Sequence, residues 1–306
     1  MQVSAAYIGV VLIWSTTPLA IKWSGEGTGF LFGVSARMTL SLVLCLALMA
    51  ILRRRLPWRP DALMTYGAAT LGIFGAMTTV YWGAQFIASG LVSVLFGLSP
   101  LLVSVLGALW LDEKNFTTLK IGGILVGILG LAVVFESELR LGDDGWKGVL
   151  GVIASVSLYS LSMVLVKRID ARLPALTSTT GGLLFSFPLF AVTFWVAGES
   201  VPVTVPVRTG LSIAYLAVFG SVLGFILFYY ILVRLSSTSV ALITLVTPVL
   251  AVLLGAALNG ERLQSGVMAG CAMILSGLLL HQWGDNRAKL SRMRLPDSTA
   301  RDAPER

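Results

Sequence analysis

Ten apolar stretches, each about the length needed to cross a bilayer, constrain this sequence more than any motif in it. They lie at residues 3–23, 30–52, 62–84, 89–111, 118–136, 145–167, 176–197, 208–233, 238–258 and 264–284. A hydrocarbon core of about 30 Å takes roughly 20 helical residues at a rise of about 1.5 Å each. Lipid offers no hydrogen bonds, so the backbone of each stretch must pair with itself, and an α-helix does so within one segment. The connections are short and leave no room for a soluble domain. With 56% hydrophobic and 12% charged residues and a mean hydropathy of +0.88, water is not this chain's main solvent. The fold class expected is all-α and integral to a membrane, with the lipid bilayer as a partner.

The net charge of +7 does not read as a nucleic-acid surface, because the basic residues gather in particular loops. Cytoplasmic termini put sixteen Lys and Arg residues inside, among them Arg53, Arg54, Arg55, Arg59, Lys167 and Arg168. Only Lys22, Arg140, Lys147, Arg208 and Arg262 then lie outside. That imbalance predicts both termini in the cytoplasm. Met1–Ala6 carries no basic residue and the apolar run passes Pro18 without a small-residue cleavage pattern, so the first stretch reads as a helix rather than a secretory signal. The polar, charged segment 285–306 is expected to be disordered. Cys45 and Cys271 fall inside spans without partners for a disulfide or a metal and read as small buried hydrophobes.

The chain also matches itself. At a constant offset of 148, Ser89 meets Ser237, Pro100 meets Pro248, Glu113 meets Glu261, Gly122 meets Gly270 and Gly72 meets Gly220. The same offset carries Tyr81-Trp82 onto Tyr229-Tyr230. Near the start of each copy an offset of 145 pairs Trp14-Ser15 with Tyr159-Ser160 and Lys22 with Lys167. Residues 1–137 and 138–284 are therefore read as two repeats of five spans. Five is odd, so the second copy enters the membrane from the opposite side. Inverted repeats let a transporter reach two access states by exchanging the conformations of its halves. The alternative is a duplicated scaffold.

Trp14-Ser15, Arg37, the run from Ser89-Gly90 to Pro100, Glu113 at the end of the fourth span and a Gly-rich fifth span resemble the EamA-type branch of the drug/metabolite transporter superfamily. The last three features recur in the second half, and the likeness covers about residues 5–284. It implies a basket of ten helices, with spans 5 and 10 peripheral and the others around a central cavity. It further implies an exporter in a bacterial inner membrane, nearest to those for aromatic and other neutral amino acids. One departure matters: span 7 carries no charge, so any role of Arg37 is asymmetric.

Pro100 and Pro248 each remove one helical hydrogen bond, to the carbonyls of Phe96 and Thr244, and read as hinges or as static kinks. Trp14, Ser15, Tyr159 and Ser162 lie in the first span of each copy. Tyr81, Trp82 and Gln85 lie in span 3, and Phe225 and Tyr229 in span 8. Together these nine are the substrate-binding candidates, able to form an aromatic-lined pocket, although Trp and Tyr also gather at any membrane surface. Arg37 is expected to face the interior or to snorkel. It would meet a substrate carboxylate or a helix-end carbonyl, or serve in gating or structure. Lys22 and Lys167 read as surface anchors. Glu113 and Glu261 read as gating or structural groups that pair with Lys114 or Arg262 or cap the next helix. Gly122, Gly123, Gly127 and Gly130 allow close helix packing, within the bundle or across a homodimer.

No Asp or Glu lies deep in a span and the one histidine, His281, sits at a span end. A proton relay is therefore not expected, and the transport predicted is facilitative or weakly coupled. No P-loop, no cofactor motif, no metal-ligand spacing and no catalytic set is present. The expectation is a transporter of small molecules by alternating access, as monomer or homodimer, and not an enzyme. The alternatives are export of another metabolite or drug class, and a membrane-embedded enzyme or scaffold.

Overall fold

A computed structural model describes residues 3–111, 117–140, 144–232, 234–235 and 237–293. Among these residues there is no strand, and ten helices are long and apolar enough to cross a membrane. They are α1 (Val3–Ser24), α2 (Phe30–Ile51), α3 (Pro60–Gly83), α4 (Ser89–Trp110), α5 (Thr118–Arg140), α6 (Gly145–Ile169) and α7 (Ala175–Val196). After them come α8, made of Val207–Tyr215, Leu216–Leu223 and Gly224–Leu232, then α9 (Ser237–Asn259) and α10 (Ser265–Met293). Large apolar side chains such as Leu12, Leu109, Leu125, Val192 and Trp195 are exposed along them, as a lipid-facing surface requires. The last helix runs on to Met293, so 285–293 is helical where disorder is expected from 285; residues 294–306 lie outside the described residues.

The halves interlock rather than sit side by side. α1 packs against α8 and α9 of the other half, and α6 packs in the same way against α3 and α4. α2 meets α8 as α7 meets α3, while α2·α7, α4·α9 and α5·α10 join equivalent helices directly. α2 and α7 are both 22 residues long and begin at 30 and 175, the offset of 145 found in the sequence.

α5 and α10 lie at the periphery and run along each other. A Cβ on Gly277 would stand 2.6 Å from the Gly123 carbonyl oxygen, and one on Gly130 would stand 2.8 Å from the Gly270 carbonyl. Backbone therefore touches backbone, which only glycine permits. The two contacts exchange under an offset of 147, and the helices start at 118 and 265. The packing equivalent of Gly270 is thus Gly123 rather than Gly122, because α5 and α10 start at an offset of 147 rather than 148. Gly122 faces open space.

Repeat-equivalent spans 3 and 8 both widen into a π-helical segment, at Leu71–Gly75 and Leu216–Leu223. Ser162 Oγ donates to the Ala68 carbonyl at 2.8 Å and Ser155 Oγ to the Ala76 carbonyl at 2.7 Å, bracketing the first. In the second, Ser221 Oγ donates to the Leu216 carbonyl five residues earlier, at 3.1 Å. Such segments concentrate at functional sites.

The two prolines of the repeat behave differently. α4 is interrupted between Phe96 and Ser99 by turns in which Gly97 and Leu98 donate to the Val94 and Leu95 carbonyls. α9 continues through Pro248. Gly97 has Leu245 as its counterpart, and a Cβ on Gly97 would stand 2.8 Å from the Val94 carbonyl, so the break depends on the glycine as well as on the proline. Gly277→Val is expected to lower stability in detergent by about 1–3 kcal/mol through overpacking, read as a lower melting midpoint. Gly122→Ala should leave the midpoint unchanged or slightly higher.

Candidate functional site

α9 ends at Gly260, which adopts φ 64°, and the Glu261 N–H reaches back to the Gly255 carbonyl at 3.1 Å. This reversal carries the Glu261 carboxylate to the first turn of α4, where helix N–H groups lack partners. Its Oε2 accepts from the Ser89 N–H and from Ser89 Oγ, both at 2.8 Å. Its Oε1 accepts from Asn259 Nδ2 at 2.9 Å and pairs with Lys22 Nζ at 3.3 Å. Lys22 also donates to the Ile87 carbonyl at 3.1 Å, and Trp23 Nε1 to Asn259 Oδ1 at 3.0 Å. Burial pushes the carboxyl pKa up, but the hydrogen bonds from Ser89 and Asn259 and the Lys22 charge outweigh it and hold the group below the ordinary glutamate range.

α1 and α4 of the first half are thus clasped to α9 of the second. Two expectations are corrected here: Lys22 is not merely a surface anchor, and Glu261 pairs with Lys22 rather than Arg262 because the turn aims it back into the bundle. At the same face Arg208 pairs with Glu26, and Thr209 Oγ1 donates to the Glu26 carbonyl at 2.8 Å. At the opposite face Arg59 Nη2 donates to the Ala171 carbonyl at 2.6 Å. Ala171 and Glu26 are equivalent at the 145 offset. Glu113 lies outside the described residues.

Arg37 points inward and is 5% exposed. Its Nε donates to Ser221 Oγ and its Nη1 to Tyr81 Oη, both at 3.4 Å, linking α2 to α8 and α3. Tyr81 is buried and also lines a cavity of about 210 Å³ with Lys22, Glu26, Ala84 and Gln85.

Trp14 and Tyr159, equivalent in the repeat, each meet another ring. Trp14 lies 4.9 Å from Phe228, and Tyr159 lies 6.3 Å from Phe96 edge-on. Both approach the widened helices, Tyr159 beside Gly72 and Trp14 beside Gly224. Ser162 fills the space over Gly72, and its counterpart Thr17 stands over Gly220. Ser15 is buried and bonds back to the Val11 carbonyl at 2.6 Å. Trp82 turns away from Tyr81 to cover Gly151 and Phe86 and is half-exposed. Gln85 donates to the Trp82 carbonyl at 3.2 Å. The side chains of Phe225 and Tyr229 lie outside the described residues. Ser99 and Ser160 hydroxyls meet at 3.2 Å and hold the α4 break against α6.

A sequence profile of the EamA-like transporter family matches residues 3–136 and again 146–281. The chain belongs to the EamA-like transporter family. Among similar proteins, an uncharacterized transporter of Archaeoglobus fulgidus is 26% identical over 281 residues, covering 88% of this chain and 95% of its own. The uncharacterized inner membrane transporter YedA of Escherichia coli is 25% identical, with 90% and 89% covered. An S-adenosylmethionine/S-adenosylhomocysteine transporter of Chlamydia trachomatis is 26% identical, with 88% and 86% covered. A solved crystal structure superposes with a TM-score of 0.62 over 93% of this chain and 98% of that one, at 20% identity, a likeness of fold.

This EamA-like protein is therefore a multi-pass membrane transporter. Among its described residues no three His, Cys, Asp or Glu side chains gather where a metal could sit. The sequence reading missed Ser221, Ser155, Asn259 and Trp23. The first two bear on the π segments, whose one sequence trace is the Gly72/Gly220 match. Because the Glu261 pKa is lowered on folding, its contribution is full above the unfolded value of about 4.3 and is lost as pH falls through the folded one. Glu261→Gln should cost about 1–3 kcal/mol at neutral pH. The gap between its melting midpoint and the wild type's should hold down to about pH 5 and close only below about pH 4.

Proposed function

We propose that this transporter exports small metabolites, aromatic and other neutral amino acids first, across a bacterial inner membrane, with both termini in the cytoplasm. The observation that carries alternating access is the clasp of Lys22, Ser89 and Glu261. It joins the halves at one face, and every member has a repeat counterpart: Lys167, Ser237 and Glu113. Inverted halves bring that second trio to the other face. Exchanging one clasp for the other, with the Gly97-Pro100 break and the π segments taking up the bend, opens each face in turn. By the loop charges, the clasp at Glu261 faces outward. With no acidic group deep in a span, the solute gradient supplies the drive.

The substrate reading is supported by Trp14 and Tyr159, which present aromatic faces from equivalent places at the widened helices, and by the family resemblance of the sequence. The substrates for which the Chlamydia relative is named carry an amino-acid end, which favours a second reading in which the solute is a larger amino-acid derivative. Counterflow in proteoliposomes, with radiolabelled phenylalanine, leucine, S-adenosylmethionine, sugars and sugar phosphates, tests both. Phenylalanine and leucine should exchange saturably, and Trp14→Ala or Tyr159→Ala should raise KM about tenfold, a loss of about 1.4 kcal/mol of binding. Exchange of sugar phosphates with no exchange of amino acids defeats the substrate reading.

A further inference from the structure

We infer that Arg37 is the counter-ion for a carboxylate on the transported solute, with Tyr81 as a second donor; this rests on the reading of the chain as an amino-acid exporter and names the solute group that the protein grips. A charged side chain buried within a membrane bundle is costly unless something pairs with it. The guanidinium has five N–H donors and keeps its charge. Among the described residues only two of those donors find acceptors, at 3.4 Å, beyond the usual 2.7–3.2 Å range. Nη2 donates to nothing among the described residues, and no carboxylate of those residues reaches Arg37.

The fold itself does not need the charge. At the 145 offset the counterpart of Arg37 is Gly182 in α7, which packs on Ala69 and Ile73 of α3. Ala217 and Ser221 are the counterparts of those two residues at the 148 offset. One copy therefore closes this junction with Gly182 and Ile73, and the other places Arg37 and Ser221 there. Room is also kept beside the charge, because a Cβ on Gly220 would stand 3.3 Å from Nη2.

Of the neighbouring groups, Tyr81 is the one set for an anion. Ser221 spends its proton on the Leu216 carbonyl and so turns its oxygen to Arg37. Tyr81 accepts from Arg37, and its phenolic proton has no acceptor among the described residues. The cavity that Tyr81 lines runs from the α1–α2 loop, with Lys22, Glu26 and Gln85 on its wall, and Tyr81 links it to Arg37, which is not itself on that wall. A carboxylate that passes Tyr81 to reach Arg37 would take the Nη1 and Nη2 protons as a fork and the Tyr81 proton as a third bond. The cavity, about 210 Å³, has room to lead a small monocarboxylate as far as Tyr81.

The test uses purified full-length protein in nanodiscs and follows the melting midpoint with L-phenylalanine, phenylacetate, the uncharged phenylacetamide and inorganic phosphate. Phenylalanine and phenylacetate should protect the wild type, and phenylacetamide at the same concentration should not. Arg37→Gln should weaken carboxylate binding at least about tenfold, Arg37→Lys should restore part of it, and Tyr81→Phe should cost about threefold. Should Arg37→Gln fail to fold, Tyr81→Phe and the acid-against-amide comparison on the wild type decide. Equal protection by acid and amide, protection by phosphate alone, protection by none, or unchanged binding by folded Arg37→Gln each overturns the inference. Arg37-dependent phenylacetate binding without amino-acid counterflow would leave the inference standing and remove the substrate reading. Phenylalanine counterflow with unchanged KM in Arg37→Gln would do the reverse.

Discussion

Lipid gives a peptide group nothing to bond with, and most irregular features of this molecule are answers to that one constraint. Pro18 deprives a carbonyl of its N–H in α1, and around it Ser15, Thr16 and Thr17 all bond back to carbonyls one turn earlier. Such bonds bend helices. Where α3 widens, Ser155 and Ser162 reach across from α6 to its carbonyls; where α8 widens, Ser221 serves its own turn. Irregular backbone is thus found where the two halves interlock, and that is where the proposed change of access would bend the bundle.

The duplication supplies the frame, and the proposed solute site rests on departures from it. α1 enters the other half as α6 enters the first, with Thr17 over Gly220 matching Ser162 over Gly72. Onto this symmetric frame are set Arg37 opposite Gly182, Ser221 opposite Ile73, and Gly97 opposite Leu245. A solute is not symmetric, so a site that grips one end of it has no need to be. The clasp belongs instead to the symmetric part, since the proposed alternating access needs the same tie at either face.

Span positions were legible because a bilayer imposes one length on every helix, and α2 and α9 fall within a residue of the expected ends. The members of the clasp were also legible, since Lys22, Ser89 and Glu261 all stand out in the self-match. Their mutual pairing was not, because it depends on α9 ending in a turn that sends Glu261 across to α4. Pro100 and Pro248 look alike in sequence and differ in the structure through a neighbour three residues away. The π segments left almost no trace, as Leu71–Gly75 has the composition of any apolar turn, and the Gly122/Gly270 match erred by one residue for want of the loop lengths.

The inversion of the halves underlies the account, and two loop residues report on it directly. Gly27 and Arg172 are equivalent at the 145 offset and both have positive φ, 71° and 52°. Single cysteines at these positions, in a chain whose buried Cys45 and Cys271 are replaced by Ala, can be labelled with a membrane-impermeant maleimide in right-side-out and inside-out vesicles. The account predicts that position 27 labels only from outside and position 172 only from inside. Labelling of both from the same side would contradict it.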